Sequence, residues 1–285
     1  MGSMRTLQVL CIAVGVYCGA ALADAPVHRP ALRACADPNN LPFSNDRGEG
    51  FENKLAELIA RNMNRELQYT WWAQRRGFVR NTLKAGECDL ILGIPAGSEI
   101  ALTTRAYYRS SYVFVTQKAA NLTLHSLSDP RLKQLHIGLH TIGDDFSNVP
   151  PAHALSARGI IDNVRGYSIY GDYSRPDPPR ELIDAVARGE IDVAIAWGPL
   201  AGFFVRESTV PLEIALITPE QSSAFPMTFD IAVAVRHGES AFKTEIESIL
   251  GKEQGAIDEL LREFGVPLLP LGSAAPNIRA SDAAP

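Results

Sequence analysis

The chain has 285 residues, 46% of them hydrophobic and 21% charged. This balance is typical of a globular protein and excludes a disordered tail, a collagen-like fibre and a coiled-coil rod; the length allows one large or two modest domains. With 27 Lys and Arg against 32 Asp and Glu, the formal charge is −5, which argues against nucleic-acid binding and against attachment to an anionic membrane.

The N-terminus carries the pattern of a secretory signal peptide. Arg5 precedes an apolar run from Leu7 to Leu22, and the residues Ala21-Leu22-Ala23 match an A-x-A cleavage signal. A buried helix is the alternative, but a buried helix normally shows an amphipathic stripe, and this segment has none. Residues 1–23 are therefore predicted to be a cleaved signal peptide. This predicts a periplasmic chain with no membrane span after cleavage.

The signal peptide divides the four cysteines into two pairs. Cys11 and Cys18 are lost with it, whereas Cys35 and Cys88 remain in an oxidising compartment, where a disulfide is the simplest use for them. Two buried free thiols are the alternative, because the sequence does not give the Cα separation that a disulfide requires.

The first elements after the signal peptide are a strand, a turn and a helix. Leu32 to Ala36 is predicted to be a short strand, followed by turn-rich residues 37–40, and Leu67 to Trp72 has strand character. Between the two strands, one helical face carries apolar residues at positions i, i+4, i+7 and i+8, namely Phe51, Leu55, Leu58 and Ile59.

Further along, Tyr112 to Thr116, Leu135 to Leu139 and Ile231 to Val235 are apolar runs with the character of strands. Two helices should follow, ended by Gly265 and Pro267. Their apolar positions are Ile246, Ile249, Leu250, Ile257, Leu260, Leu261 and Phe264. Residues 271–285, rich in Ala, Pro and Ser, are predicted to be a flexible tail.

One pattern occurs twice. Residues 83–93 and 186–196 each show the end of an amphipathic helix, a glycine, an acidic turn and a buried strand. Gly86 and Gly189 suit the left-handed conformation just beyond a helix C-terminus. The strands are near-continuous apolar runs, as in a parallel sheet covered on both faces. Two such half-βαβ units predict two similar α/β lobes.

The order of these pieces resembles the type II periplasmic solute-binding proteins of family 3, over about residues 30–266. The resemblance is carried by GFENKLAELIA (50–60), GECDL (86–90), YYRSSYVFV (107–115) and DIAVAVR (230–236). It implies a two-lobed α/β fold, with mixed sheets flanked by helices and a ligand held in a cleft. Two crossover strands, near residues 112–118 and 230–236, would form the hinge. Lobe I would comprise residues 30–113 plus 236–270, and lobe II would be residues 114–235, inserted into it.

A second resemblance narrows the family. CADPNNLPFS (35–44), YTWWAQRRGFVR (69–80) and AWGPLAGF (196–203) resemble the MoxJ/XoxJ-type solute-binding-like proteins associated with periplasmic quinoprotein (methanol or alcohol) dehydrogenases. This implies a monomeric, non-enzymatic accessory of a pyrroloquinoline-quinone (PQQ) dehydrogenase, with no catalytic residue and no cofactor of its own. The alternatives are a conventional solute-binding protein that serves an ABC permease and, third, a cleft enzyme of the dehydratase or lyase kind.

One departure from the amino-acid binders of this family bears on the ligand. Those proteins place an Arg after the strand that follows the Gly-x-x-Asp turn, where it clamps the ligand carboxylate. The matching position here is near Gly97, and residues 95–99 contain no Arg. Because a buried carboxylate without a guanidinium partner is costly, an amino acid is a poor ligand candidate unless Arg76 or Arg105 substitutes.

The candidate site follows from the rule that ligands of open α/β sheets meet the loops at the carboxyl ends of the strands. Amides there can hydrogen-bond a polar solute, and tryptophan rings can form an apolar wall. The candidate ligand or partner residues are Asp37, Asn39, Asn40, Trp72, Arg75, Arg76, Pro95, Gly97, Ser98, His140, Trp197 and Pro199.

Each candidate also has a simpler explanation. Asn39 and Asn40 suit tight turns, one ring of the Trp71-Trp72 pair belongs to the core, and Arg75 and Arg76 suit a solvated helix start. Grouping His140 with Asp144 and Asp145 as a metal site is less economical than helix capping by the carboxylates, so no metal is predicted. Serine-hydrolase, zinc-protease and phosphate-loop motifs are absent from the sequence.

Overall fold

The structure, a computed structural model, describes residues 30–142, 147–168, 173–218 and 225–271. Three predictions lie outside the described residues: the signal peptide with its two cysteines, the loop carboxylates Asp144 and Asp145, and residues 272–285 of the tail. In the described ranges, no helix combines the length and the apolar character that crossing a membrane would require.

Strands and helices alternate along most of the described chain. The first elements are β1 (Leu32–Ala36), β2 (Asn39–Asn40), β3 (Ser44–Asn45), α1 (Phe51–Asn62), β4 (Leu67–Trp71), α2 (Phe78–Asn81), β5 (Leu90–Pro95), β6 (Leu102–Thr103) and β7 (Tyr108–Gln117). They are followed by β8 (Ile137–Ile142), β9 (Ser147–Asn148), α3 (Pro150–Ser156), β10 (Val164–Ser168), α4 (Glu181–Ala187), β11 (Val193–Trp197), α5 (Gly198–Glu207), β12 (Leu212–Leu216), β13 (Thr228–Val235), α6 (Ser240–Lys252) and α7 (Gln254–Glu263).

A mixed sheet runs through both halves of the molecule, in the strand order β10-β8-β11-β7-β13-β5-β1-β4. In the first half β1 runs parallel to β4 and β5, and in the second half β8 runs parallel to β10 and β11. Strands β6, β9 and β12 pair with β13, β8 and β7 outside this path. The connections between parallel strands cover both faces of the sheet, so the side chains on both faces of such strands are buried. This explains why β5 and β11 are nearly continuous apolar runs.

Two long strands connect the halves. Residues Tyr108 to Ser111 of β7 pair with β13, whereas the later residues of β7 pair with β11 and β12. Strand β13 also pairs with β5 in the first half. The two strands lie where the family resemblance implied crossover strands, and the exact boundaries of the two lobes stay a prediction.

Helix α1 anchors the core of the first half. Phe51, Leu55 and Ile59 are fully buried, as their spacing on one helical face predicted, and Leu58 packs at the edge of the same cluster. Burial of each such side chain contributes about 1.5–3 kcal/mol to folding. Its N-cap, Gly50, lies directly against the backbone of Phe43, which lines the cavity between the halves. The helix therefore begins close to that cavity.

The repeated pattern folds into the same hydrogen-bonded glycine turn at both places. Gly86 and Gly189 have φ of +80° and +71°. In each turn the glycine N–H donates to the carbonyl three residues earlier, and the next N–H donates to the carbonyl five residues earlier. This is the Schellman arrangement. The pattern predicted that a helix runs up to each glycine, but in the first copy α2 ends at Asn81, five residues before Gly86. At this end the Thr82 hydroxyl donates to the Phe78 carbonyl (2.6 Å).

A disulfide joins Cys35 to Cys88, with their Cα atoms 5.6 Å apart. Cys35 lies in β1 and Cys88 lies just before β5, which is the parallel neighbour of β1. Both cysteines are buried, and the bridge holds the turn that contains Gly86 against the sheet. The predicted pairing is confirmed.

Candidate ligand-binding cleft

A cavity of about 210 Å³ lies where the two halves meet the connecting strands. It opens at the carboxyl ends of β5 and β11, which is where ligands of open α/β sheets bind. The first half contributes Asn40, Phe43, Gly93 and Pro95 to its wall; the connecting strands contribute Tyr112, Phe229 and Ile231; and the second half contributes His140, Val149, Pro150, Trp197 and Leu200.

Three aromatic rings form one side of the cavity. Tyr112 of β7 lies opposite Trp197 of β11 in the antiparallel register, and their ring centroids are 5.3 Å apart. Phe229 of β13 packs edge-on against both rings, at 6.4 Å from Tyr112 and 5.9 Å from Trp197. Edge-to-face aromatic packing is stable and rigid, so this wall presents a preformed apolar surface to a ligand.

Asn40 also contributes to the cavity wall. It ends the short strand β2, which pairs with β3, and only 1% of the residue is exposed. Its Nδ2 donates to the Oε1 of Gln74 (3.0 Å), while its Oδ1 is buried and has no hydrogen-bond partner. A buried carbonyl oxygen without a donor costs about 1–3 kcal/mol.

His140 is a neutral imidazole in the cavity wall. Its Nε2 lies 3.2 Å from the carbonyl oxygen of Pro179, which can only accept, so Nε2 carries the ring proton. Burial lowers the pKa of this imidazole to about 4. The ring is therefore neutral at pH 7, and its Nδ1 remains an acceptor.

A buried carboxyl group, Glu52, lies directly behind the cavity wall. A Cβ atom placed on Gly93 would overlap the Glu52 carboxyl, and burial raises the pKa of that carboxyl to about 8. Glu52 is thus neutral at pH 7. Glu52 was not among the predicted site residues, although its position gives a signal: it lies three residues before Leu55 and seven before Ile59, on the apolar face of α1.

Asp37 and Asn39 organise the loops around the cavity. The Asp37 carboxylate accepts hydrogen bonds from the backbone N–H groups of Asn39 (2.9 Å) and Gln74 (2.8 Å). Burial nevertheless raises the Asp37 pKa. Asn39 reaches the second half, where its Nδ2 donates to the Arg175 carbonyl (2.9 Å) and its Oδ1 accepts from the Asp177 N–H (3.3 Å). Asn39 therefore connects the two halves beside the cavity, although neither Asp37 nor Asn39 lines it.

Of the twelve predicted site residues, the structure brings Asn40, Pro95, His140 and Trp197 together in the cavity wall. The remaining eight are not among the residues that line it. Trp72 is 44% exposed on the surface, Arg75 and Arg76 are also exposed, and Pro199 is buried in the first turn of α5. A binding role for these residues stays a prediction.

The position that matches the amino-acid clamp holds no cation. Gly97 has φ of +77°, and its N–H donates to the Thr103 hydroxyl (3.0 Å). Arg105 donates to the Glu247 carbonyl instead of entering the cavity. Among the described residues that line the cavity, none is Arg, Lys, Asp or Glu.

The described part of the chain also contains no cluster of three or more His, Cys, Asp or Glu side chains that could hold a metal ion. The polar groups of the cavity can bind a ligand through hydrogen bonds, and the aromatic wall of the cavity can bind a ligand through apolar contact.

Comparison with curated proteins finds relatives of nearly the same length. The chain is 32% identical to Protein MoxJ of Methylorubrum extorquens over 250 residues, which cover 85% of this chain and 83% of that protein. It is 31% identical to Protein MoxJ of Paracoccus denitrificans over 267 residues, covering 89% and 96% of the two chains. No protein-family model matches the chain.

Solved structures agree with the sequence relatives. The periplasmic binding protein XoxJ from Methylobacterium extorquens AM1 is 36% identical, with a TM-score of 0.69 over 85% of this chain and 100% of that chain. MxaJ from Methlophaga aminisulfidivorans MPT is 26% identical, with a TM-score of 0.73 over 84% of this chain and 100% of that chain. The fold is that of the periplasmic binding proteins, as the family resemblance implied.

Proposed function

The chain belongs to the MoxJ/XoxJ family of periplasmic binding proteins, and from this we propose that it is a non-enzymatic periplasmic accessory of a PQQ-dependent alcohol or methanol dehydrogenase. The observation that carries the proposal is the cleft between the halves. Its described wall is preformed and uncharged, which suits recognition without chemical transformation.

The uncharged character of the described lining residues also bears on catalysis. General acid–base chemistry in a cleft needs titratable groups within reach of the substrate. The described lining residues include one titratable group near neutrality, His140, and its pKa is lowered away from neutral pH. This supports a binding protein over a dehydratase or lyase on the same fold.

Solute capture for an ABC importer is the second candidate function. A cavity lined by residues from both halves favours it, because a solute-binding protein holds its solute between two lobes. This alternative predicts a saturable small ligand and an importer permease as the partner, in place of a dehydrogenase.

A binding experiment tests whether a dehydrogenase, and not an importer permease, is the partner. The purified mature chain is mixed at micromolar concentration with the dehydrogenase from the same cells, in its metal-loaded and its apo form, and complexes are detected by cross-linking and co-purification. We expect a complex with at least one form. If neither form binds, the dehydrogenase proposal is wrong.

The exposed loop after β4 offers a test at one residue. Trp72 projects from the surface beside Arg75, and aromatic residues of this kind often dominate interfaces. If the loop docks the dehydrogenase, Trp72→Ala weakens the complex by at least about tenfold. Ile161→Ala is the matched control, since Ile161 is 59% exposed on the second half. Equal losses in both variants would contradict a role for this loop.

The location is proposed with the function. Cleavage after Ala23 should leave a chain that starts at Asp24 and fractionates with the periplasm. N-terminal sequencing of the purified protein measures this directly, and an intact Met at the N-terminus would contradict it.

A further inference from the structure

We propose that a basic face around α2 docks a partner protein through an acidic segment that carries one apolar side chain. The basic face consists of the exposed cations Arg75, Arg76, Arg80 and Lys84, together with a groove at its Lys84 end. The assignment rests on the accessory role proposed above. It adds which surface of this chain makes the contact and which chemistry the partner presents to it.

The charge of the basic face is opposite to that of the whole chain. Residues 67–86 contain the four cations and no Asp or Glu, whereas the full chain has a formal charge of −5. In the described part of the chain, no carboxylate forms a salt bridge with Arg75, Arg80 or Lys84. These cations are therefore available to the carboxylates of a partner, which they attract and orient.

The packing of α2 explains why the cations point outward. Phe78 and Leu83 are buried in a small apolar cluster on the sheet, together with Cys88. Arg80 and Lys84 lie next to these buried residues in sequence and are exposed. The disulfide at Cys88 ties the segment to β1, so a partner meets a preformed surface and little conformational entropy is lost on docking.

A groove of about 380 Å³ lies at the Lys84 end of the face. Its lining residues are Leu83, Lys84, Ile100, Ala101, Arg236 and His237. Ile100 is 46% exposed, so the groove presents apolar surface to solvent. Arg236 already pairs with Glu239 (2.6 Å), which leaves Lys84 as the cation at the groove that can bind a partner's carboxylate.

The acids near the groove set the orientation of the partner. Glu99 precedes the lining residue Ile100, and Glu87 follows Lys84 by three residues; both are exposed. Carboxylates placed directly over the groove would be repelled by these two acids. The apolar side chain of the partner should therefore enter the groove, and its acidic residues should lie over α2.

The structure of the face favours a protein over an anionic membrane as the partner. Binding to a membrane surface typically uses an amphipathic helix with its apolar side toward the lipid. Helix α2 has four residues, and its apolar Phe78 packs toward the sheet. Trp72, before the first of the cations, is 44% exposed, and Trp and Arg are enriched among the residues that dominate protein interfaces.

Two charge-reversal variants of equal net charge test the basic face. Arg80→Glu with Lys84→Glu alters the face, and Lys118→Glu with Lys133→Glu makes the same change in charge at exposed lysines outside it. Biolayer interferometry measures the binding of each mature variant to the dehydrogenase. We expect the first variant to bind at least about tenfold more weakly at low salt, and the difference to shrink at about 0.5 M salt because of screening. The second variant should bind like the unaltered protein. Equal losses in both variants would overturn the face.

A single substitution tests the groove. Ile100→Ala should weaken the complex about fivefold, since it removes apolar contact with the partner's side chain. Ile161→Ala removes an equally exposed isoleucine on the second half and should bind unchanged. Because both side chains are exposed, both variants should fold, which circular dichroism checks. An unchanged affinity of Ile100→Ala would overturn the groove as the contact of the apolar side chain.

The outcome is separable from that of the proposed function. A dehydrogenase that binds every variant equally overturns the basic face and leaves the accessory role intact. A chain that captures no dehydrogenase overturns the accessory role and, with it, this partner.

Two further measurements address other occupants of the face. Cosedimentation with phosphatidylglycerol vesicles tests a membrane, and analytical ultracentrifugation tests a second copy of this chain. We expect no vesicle binding and a monomer. Vesicle binding or a dimer that the Arg80→Glu and Lys84→Glu substitutions abolish would overturn the assignment to a partner protein.

Discussion

Glu52 and His140 are both neutral at pH 7 for the same physical reason, burial, which shifts their pKa values in opposite directions. Burial disfavours the charged form of each group, so it raises the pKa of the carboxylic acid and lowers the pKa of the imidazole. The two side chains lie next to the same cavity, Glu52 behind Gly93 and His140 in the wall. Their neutrality keeps the cavity free of charge without a single ion pair between them.

Relative to the unaltered protein, the Glu52→Gln variant should gain stability as the pH rises. An unfolded chain releases the Glu52 proton near pH 4.5, whereas the folded chain keeps it to about pH 8. Between these values the folded state holds one more proton, so the free energy of unfolding of the unaltered protein falls with rising pH. Glutamine mimics the protonated acid and removes this loss, which predicts a gain of about 3 kcal/mol at pH 7 and almost none at pH 4.5.

Urea denaturation across this pH range measures the difference. Glu57→Gln is the control, because Glu57 lies exposed on the same helix and should give a difference close to zero at every pH. A Glu52→Gln curve parallel to that of the unaltered protein would show that the carboxyl is ionised in the folded state.

Helix α5 packs against the chain that follows α7. A Cβ atom on Gly202 would overlap the carbonyl oxygen of Gly265, and Gly265 itself has φ of +73°. Phe203 stacks on Phe264 with ring centroids 5.6 Å apart, and Arg206 donates to the Arg262 carbonyl (3.2 Å). The two backbones approach this closely only because both contact positions are glycine.

Two Gly→Ala substitutions in helices should therefore have opposite signs. Gly202→Ala forces the backbones apart and should destabilise the protein by about 1–3 kcal/mol. Gly255→Ala, in α7, meets no atom within 4 Å and should stabilise it by about 0.5–1 kcal/mol, since alanine is the better helix former. Chemical denaturation compares both variants with the unaltered protein. A neutral or stabilising Gly202→Ala variant would contradict the close contact between Gly202 and Gly265.

Several contacts besides the two connecting strands hold the halves together. Asn39 hydrogen-bonds the backbone of residues 175 and 177 in the second half. Phe43 packs against the hydrophobic clusters of both halves. The contact between Phe203 and Phe264 adds a third connection, at the end of the described chain. Unfolding of one half would expose apolar surface on the other.

We therefore expect the molecule to unfold in one cooperative transition. Differential scanning calorimetry should give a single peak whose calorimetric enthalpy equals the van't Hoff enthalpy. The Phe203→Ala and Phe264→Ala variants should show a coupling of about 0.5–1.5 kcal/mol in a double-mutant cycle. Two resolved peaks would mean that the halves are energetically independent.

Sequence patterns determined most of the elements. The i, i+4, i+7 spacing from Phe51 predicted α1, the apolar runs predicted β1, β5 and β11, and the glycines at 86 and 189 predicted the left-handed turns. These features follow from the sequence because they depend on residues within one or two turns of each other. The second Cys pair was also identified, since only two cysteines remain after the signal peptide.

Only the tertiary structure decided which residues form the cavity. Asn40 and Trp197 lie far apart in sequence, and their meeting depends on how β7 and β11 align and how the two halves pack. The same packing left Trp72 on the surface and enclosed Glu52, which helical spacing places on the apolar face of α1 without fixing how deeply it is buried. Burial, and with it the neutral state of Glu52 and His140, is a property of distant segments brought together, which no local spacing encodes.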